Sequence, residues 1–503
     1  MHRPRCSLIL AALLVLAFPA IAQAGYCDAL PAWTGTGATT TVSPAQSIQT
    51  AVNKTAAGGT VVLLDGNYGK QSVSITKRIR VKARKQYGAV LSGTAPTIAG
   101  DSGSGTGVAI AGSGAAGAMV DGLDIRYYAT GIAVEHTGPL TIQRNRITST
   151  SSTGIELWDA RQPLVQCNDV RDPYLSGDSA SQSPSSPSGI SEAQSDYGVS
   201  FYGSTDPVAR NNYFMGVFNQ TLSFKEGNRN PTASFNTFEG SQLTALFFGQ
   251  NGPHNGPYSY TGLPVGPDFG TLTADSNVFR ETRDSRGVYY LRSPIRVWHV
   301  DGTTVLKNNV VETSAQGLGI VECRVSGDAG CAKGSVTLQN NAVSGAVLDG
   351  STRVQVADGC LLTVDSWDSG SAIPVSMTNQ TCVSTNSVIA GSGLAVTQTG
   401  TRVLTGPIPA LRTFTPAFDP DLSYAGAVTP ARAPTPTPTP TANATTTVTD
   451  TVDADTFVRA DEPSDNGVNT AELEFRWFPE RSAATAFRMP QSERPWSSPP
   501  PSP

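Results

Sequence analysis

The chain has 503 residues, of which 50 are glycine and 35 proline, and only 15% are charged. That mix favours strands and turns over helices, and a formal net charge of −5 without a basic tract argues against nucleic acid as a partner. The length leaves room for two or three domains.

MHRPR is a basic head. SLILAALLVLAFPAIA is an apolar core too short and badly flanked for a stable span, and Ala22-Gln23-Ala24 is a small-x-small cleavage site. This is the pattern of a secretory signal peptide over residues 1–24, with the mature chain starting near Gly25. No later stretch reads as a membrane span. Removal of the leader leaves Cys27, Cys167, Cys323, Cys331, Cys360 and Cys382, an even number that suggests disulfides in an exported chain. Cys323–Cys331 and Cys360–Cys382 are plausible local pairs. Cys27–Cys167 would then tie the N-terminal cap to the body, although spacing alone does not settle the connectivity. No Cys-x-x-Cys spacing points to a metal site.

Short strands then recur, each ending near an asparagine: TIQRNRITS, LVQCNDVRD, VARNNYFMG, TASFNTFEG, TADSNVFRE, VLKNNVVET and TLQNNAVSG. The asparagines are Asn145, Asn168, Asn212, Asn236, Asn277, Asn309 and Asn341. The steps from Asn145 to Asn168 and from Asn212 to Asn236 are 23 and 24 residues. The larger gaps hold insertions at 176–195 and 251–267. A period in the low twenties, with strands and no helical pattern between, means a solenoid of coils with about three short strands each. Asparagines at one repeated turn position can stack, bond the backbone of neighbouring coils and tolerate left-handed angles. This series resembles the right-handed parallel β-helix of the pectate-lyase superfamily, and GGTVVLLDGNYGKQSVSITKRIRVKAR (58–84) resembles a first coil of such proteins. The expected fold is therefore all-β, with a β-helix over 25–428.

Residues 429–449 form a Thr/Pro-rich linker, extended and semi-rigid. VDADTFVRADEPSDNGVNTAELEFR (452–476) resembles the opening of a carbohydrate-associated β-sandwich module. The stretch from 450 to 503 is too short to bury a core of its own and is expected to be an incomplete module.

TGIELWD, YGVSFYG, TLSFKEG and TALFFGQ can be aligned as successive strands of one sheet. Side chains alternate between faces, so Leu157, Phe201, Phe224 and Phe247 should point inward. Trp158, Tyr202, Lys225 and Phe248 should then form an exposed outer row. A lone surface lysine usually only solvates a turn. Here the aromatic neighbours, and the long insertions that leave adjacent coils, point to a binding face instead. Glu226 follows Lys225 at the strand end.

By resemblance, exported β-helix proteins of this kind act on acidic polysaccharides, which makes an acidic polysaccharide the expected partner and a monomer the expected form. Lyases of the fold need a base at the uronate C5 and a cation that neutralises the carboxylate. Hydrolases need two carboxylates across the bond. The polygalacturonase-type motifs are not met: Asn236-Thr237 is followed by Phe238, and no histidine precedes a glycine. SFKEGNRNPTASFNTFEGSQLTALFFGQN instead resembles the chondroitinase-B-like alginate and dermatan lyases in its lysine and its Asn-Thr-Phe turn. It departs from them where Phe247-Phe248-Gly249 replaces their arginine strand, and their paired-glutamate calcium strand is missing. The reading is thus a polysaccharide lyase with Lys225 as base and Arg292 and Arg296 as carboxylate clamps. Trp158, Tyr202, Phe248 and His299 would contact the glycan. Glu192, Asp196 and Glu226 are the candidate ligands of a calcium ion. A non-catalytic glycan-binding protein and a β-helix glycoside hydrolase are the alternatives.

Overall fold

The computed structural model describes residues 32–94, 105–171, 197–249 apart from 217, 219, 226, 242 and 243, and parts of 270–404, together with Cys27 and Leu30. The chain divides into the units Met1–Ser423 and Tyr424–Pro503. All described residues fall in the first, so the predicted linker and module lie outside them.

Among the described residues, the chain builds three parallel sheets of 13, 12 and 11 strands. Strands visit the sheets in rotation. Leu140–Gln143 joins the first, Arg146–Thr148 the second and Thr153–Trp158 the third, and Pro163–Gln166 then returns to the first, paired in parallel with Leu140–Gln143. This is the expected β-helix of three-strand coils. Alternate side chains of all three sheets meet in one apolar core. Within it Phe201, Phe224 and Phe248 stack at centroid distances of 4.8 and 5.2 Å, and Phe214, Phe238 and Phe279 at 5.1 and 4.9 Å. In parallel in-register sheets, like side chains fall on like, so aromatic columns form wherever the repeat keeps its phase.

The asparagine series forms a buried ladder at one turn. The side-chain Nδ2 of each asparagine from Asn145 to Asn309 donates to the Oδ1 of the next, at 3.0–3.1 Å. The same Oδ1 also accepts the backbone N–H of the earlier asparagine. Gln380 extends the ladder by accepting from Asn341 at 3.0 Å. The left-handed angle expected of these asparagines falls one residue earlier, on Arg144, Cys167, Asn211, Phe235, Ser276, Asn308 and Asn340, with φ between 53° and 57°. The asparagine is required for its side-chain amide, which satisfies groups that a parallel ladder would leave open at the bend.

A helix not expected from the sequence, α1 (Ile48–Lys54), closes the start of the solenoid. Ser47 caps it by accepting from the Thr50 N–H, and Ile48, Ala51 and Val52 are buried beneath it. A first coil has no neighbour on one side, and a short amphipathic helix covers that face.

Cys27 and Cys167 form the expected disulfide, 140 residues apart in sequence. Cys382 is also disulfide-bonded. The pairings Cys323–Cys331 and Cys360–Cys382 both involve side chains outside the described residues. Closing so long a loop removes much of the freedom of the unfolded chain. Replacing Cys27 and Cys167 by serine should therefore lower unfolding stability by about 3–5 kcal/mol, measured by denaturant titration. A loss below about 1 kcal/mol would contradict this.

Candidate functional site

Six neighbouring strands of the 11-stranded sheet carry the face that the sequence singled out. They are β1 (Thr130–Glu135), β2 (Thr153–Trp158), β3 (Tyr197–Tyr202), β4 (Gln220–Lys225), β5 (Thr244–Gly249) and β6 (Ser293–Trp298). Their backbone register puts Leu157, Phe201, Phe224, Phe248 and Val297 in one column, which faces the core. The outer rows on either side are Glu156, Ser200, Ser223, Phe247, Arg296 and Trp158, Tyr202, Lys225, Gly249.

This corrects one assignment. Phe248 points into the core, where its ring stacks on Phe224, and it is Phe247 that stands on the outer face. The expected positions of the two residues are exchanged. Thr244 pairs with Gln220 rather than Thr221, and two adjacent phenylalanines hide a one-residue slip that would otherwise reverse the pattern.

Trp158 and Tyr202 stack face to face, at 4.1 Å between centroids and 8° between planes. Trp158 stays partly exposed. Lys225 points outward as expected but is not on an open surface, being only 1% exposed. Its Nζ donates to the Tyr197 hydroxyl at 2.8 Å and lies 4.1 Å from the Tyr197 ring and 5.7 Å from that of Phe247. Tyr202, Ser200, Ser223 and Phe247 are buried with it, and Ser200 and Ser223 are joined by a 2.8 Å hydroxyl–hydroxyl bond. The lysine amine is therefore desolvated and held between aromatic rings, not a solvated turn residue. Arg296, partly exposed, is the next residue after Phe247 in the same outer row. Arg292, His299, Glu192, Asp196 and Glu226 lie outside the described residues. No group of three metal-ligating side chains comes together among the described residues.

The structure adds three groups to this face. Tyr197 is the partner of Lys225. Glu156 sits beside Trp158, partly accessible but closely packed. Burial pushes its carboxyl up to about 7, against a hydrogen bond from the Trp158 side chain that holds it down, and the nearby Glu135 raises it further. The third is a pair, His136 and Asp159, whose Nδ1 and Oδ2 lie 3.1 Å apart on the exposed turn that follows β1 and β2. Both have left-handed backbones, with φ of 49° and 46°, at a turn where Gly112 and Gly203 serve the flanking coils. One sequence signal could have revealed them. TGIAVEH and TGIELWD repeat, and aligning the two places Glu135 over Trp158 and His136 over Asp159.

Residues 80–322 match the family model described as the right-handed β-helix region. Solved structures of similar fold include an alginate lyase from Paenibacillus sp. str. FPU-7. It shares 11% identity over 71% of this chain and 99% of that one, with a TM-score of 0.42. The catalytic domain of a GH87 α-1,3-glucanase in complex with nigerose shares 13% identity over 74% and 70%, with a TM-score of 0.44. A polygalacturonase from Erwinia carotovora ssp. carotovora shares 11% over 75% and 98%, with a TM-score of 0.43. At these identities the likeness is one of backbone path. Among curated proteins none matches the sequence.

Proposed function

We propose that this right-handed β-helix protein is an exported polysaccharide lyase whose glycan lies across the outer face of β2–β6. The observation that carries the reading is the Lys225–Tyr197 pair. β-Elimination moves a proton from C5 of a uronate to the oxygen leaving C4. Lys225, as base, takes the C5 proton. The C–H electrons form the C4=C5 double bond, the C4–O bond breaks, and Tyr197 gives its phenolic proton to the departing oxygen. The 2.8 Å bond between them then lets the proton gained by the lysine pass to the phenolate, which restores both groups. A base and an acid already joined by one hydrogen bond need no solvent to reset.

Arg296, two coils beyond β4, is suited to hold the carboxylate of a neighbouring uronate, since a guanidinium neutralises it through two parallel bonds. A lysine this covered must leave Tyr197 to meet a sugar, so substrate entry involves a movement at Lys225 or at Phe247 above it. Trp158 supplies an apolar platform for a sugar ring. Calcium held by Glu192, Asp196 and Glu226 remains part of the proposal. Export is supported by the leader-like N-terminus and the Cys27–Cys167 disulfide.

The test is to incubate the full chain with alginate, polygalacturonate, dermatan and hyaluronan, with and without calcium, while ultraviolet absorbance of unsaturated uronate is followed. A rise on one polymer is expected. Reducing ends without absorbance would replace elimination by hydrolysis. One observation favours that second reading: Glu135 and Glu156, on adjacent coils, hold carboxyls in unlike surroundings, as an acid and base pair does. Trp158→Ala is expected to weaken glycan affinity by about 10- to 100-fold, the loss of an aromatic stacking contact and its buried area, read by affinity electrophoresis in the same polymers. Unchanged migration would remove Trp158 from the glycan face.

A further inference from the structure

We infer that the Trp158 end of this face is a subsite for a neutral sugar ring, held by the His136–Asp159 pair, so that the polymer it takes carries neutral sugars as well as uronates. The inference rests on the lyase reading for the uronate; the subsite itself is argued from the first coils of the face. Trp158 has one side of its ring covered by Tyr202, at 4.1 Å between centroids, so the other side is turned toward β1. There the outer rows are low. Ala133 pairs with Glu156 and with Ala109, Glu135 pairs with Trp158 and with Ala111, and the three alanines are partly exposed. Trp158 thus stands at the edge of a shelf of small side chains, where a sugar can lay an apolar C–H face on the indole. His136 and Asp159 directly follow Glu135 and Trp158 on the turn that rims this shelf, with their side chains 66% and 46% exposed.

The pair is arranged to accept hydrogen bonds. A carboxylate only accepts, so the imidazole nitrogen that faces it, Nδ1, carries the hydrogen, and Nε2 of the neutral ring is left as an acceptor. Asp159 has a second oxygen, and the exposed Glu135 beside Trp158 adds two more. Sugar hydroxyls can donate to all of these. A uronate carboxylate cannot, and Glu135 and Asp159 repel it. At the far end of the face stand the basic side chains of Lys225 and Arg296. The two ends therefore suit sugars of different charge, and a uniformly anionic polymer would satisfy only one of them. The backbone supports a role for the side chains. In successive coils the N–H of Gly112 donates to the Glu135 carbonyl, that of His136 to the Trp158 carbonyl and that of Asp159 to the Tyr202 carbonyl. Gly112 and Gly203 meet the left-handed angle of this turn without a Cβ, whereas His136 and Asp159 hold it with φ of 49° and 46°. The turn needs only backbone there, so the imidazole and carboxylate are not required to form it.

The experiment measures equilibrium binding, so that it stands apart from turnover. Calorimetric titration of the full chain compares cellohexaose, mannohexaose and chitohexaose, as neutral probes, with alginate and galacturonate hexasaccharides. At least one neutral probe should bind, equally well in low and high salt because no ion pair is formed. His136→Gly and Asp159→Gly delete the side chains but suit the left-handed angle, so the melting temperature should hold. Neutral-sugar affinity should nevertheless fall about tenfold in each, the worth of one or two hydrogen bonds, while uronate affinity is kept. A merely structural pair would move the melting temperature and leave neutral binding alone. Silence from every neutral probe, neutral affinity undiminished in both glycine variants, or a loss of uronate affinity in them overturns the inference. If neutral binding is found and lost as expected but no polymer is eliminated, the subsite stands and the lyase reading falls. Elimination of a uronate polymer with no neutral probe bound sinks the inference alone.

Discussion

Lys225→Met should reduce polymer cleavage per folded molecule by about 100- to 10,000-fold, the range for removal of a proton-transfer group, while the melting temperature changes little. Methionine matches the length of the lysine stem and packs against Tyr197 and Phe247 without the charge. Tyr197→Phe, which keeps the ring, should fall by a similar factor because the leaving oxygen loses its proton donor. The competing role for Lys225 is purely structural: a buried cation whose contacts with two rings and a hydroxyl hold β3, β4 and β5 together. That role makes the opposite prediction. Lys225→Met would then unfold more easily, yet turn over substrate normally wherever it remains folded. Rate and melting curve on the same preparation separate the two. Full specific activity would sink the assignment.

The second large effect concerns the fold. Asn236→Ala should destabilise the protein by about 3–5 kcal/mol, because three buried polar groups lose partners and each unsatisfied group costs about 1–3 kcal/mol. The groups are the backbone N–H and side-chain amide of Asn212, both of which donate to Asn236 Oδ1, and the Ala209 carbonyl, which accepts from Asn236 Nδ2. Asn236→Asp is a sharper probe. It keeps the acceptor, but turns its second oxygen toward the Ala209 carbonyl and Asn277 Oδ1, which are themselves acceptors. Protonation relieves that clash, so the folded-state carboxyl is raised above its unfolded value. The deficit of the variant relative to wild type should then be smallest in acid and grow as pH rises from the unfolded carboxylate range. Denaturant midpoints at pH 4 and pH 7 report this. An Asn236→Ala midpoint within about 1 kcal/mol of wild type would mean that water or backbone shifts replace the ladder.

How much of this was readable beforehand follows from which features are periodic. The seven ladder asparagines were all legible, because a buried amide at a fixed turn recurs with the coil. Gln380 escaped notice because it is the one glutamine in that column. Helix α1 was missed because it closes the solenoid once and has no period. The direction of the outer row was read correctly for Trp158, Tyr202 and Lys225, where TGIELWD and YGVSFYG keep phase, but not its exposure, since Tyr202 and Lys225 are buried. It was misread at Phe247 and Phe248, where either phase offers an aromatic residue to both faces.

Sequence by itself determined the β-helix, its coil length, its ladder and the strand that bears Lys225, since these follow from local alternation repeated many times. Only the tertiary structure decided the surroundings of that strand. It buried Lys225 against Tyr197, set Phe247 rather than Phe248 beside it, brought Arg296 into line behind Phe247, and paired His136 with Asp159. Each depends on which residue of one coil lies over which residue of the next. A single-residue shift in pairing reverses every side chain on a strand, and interactions between coils, not the local pattern, select the pairing.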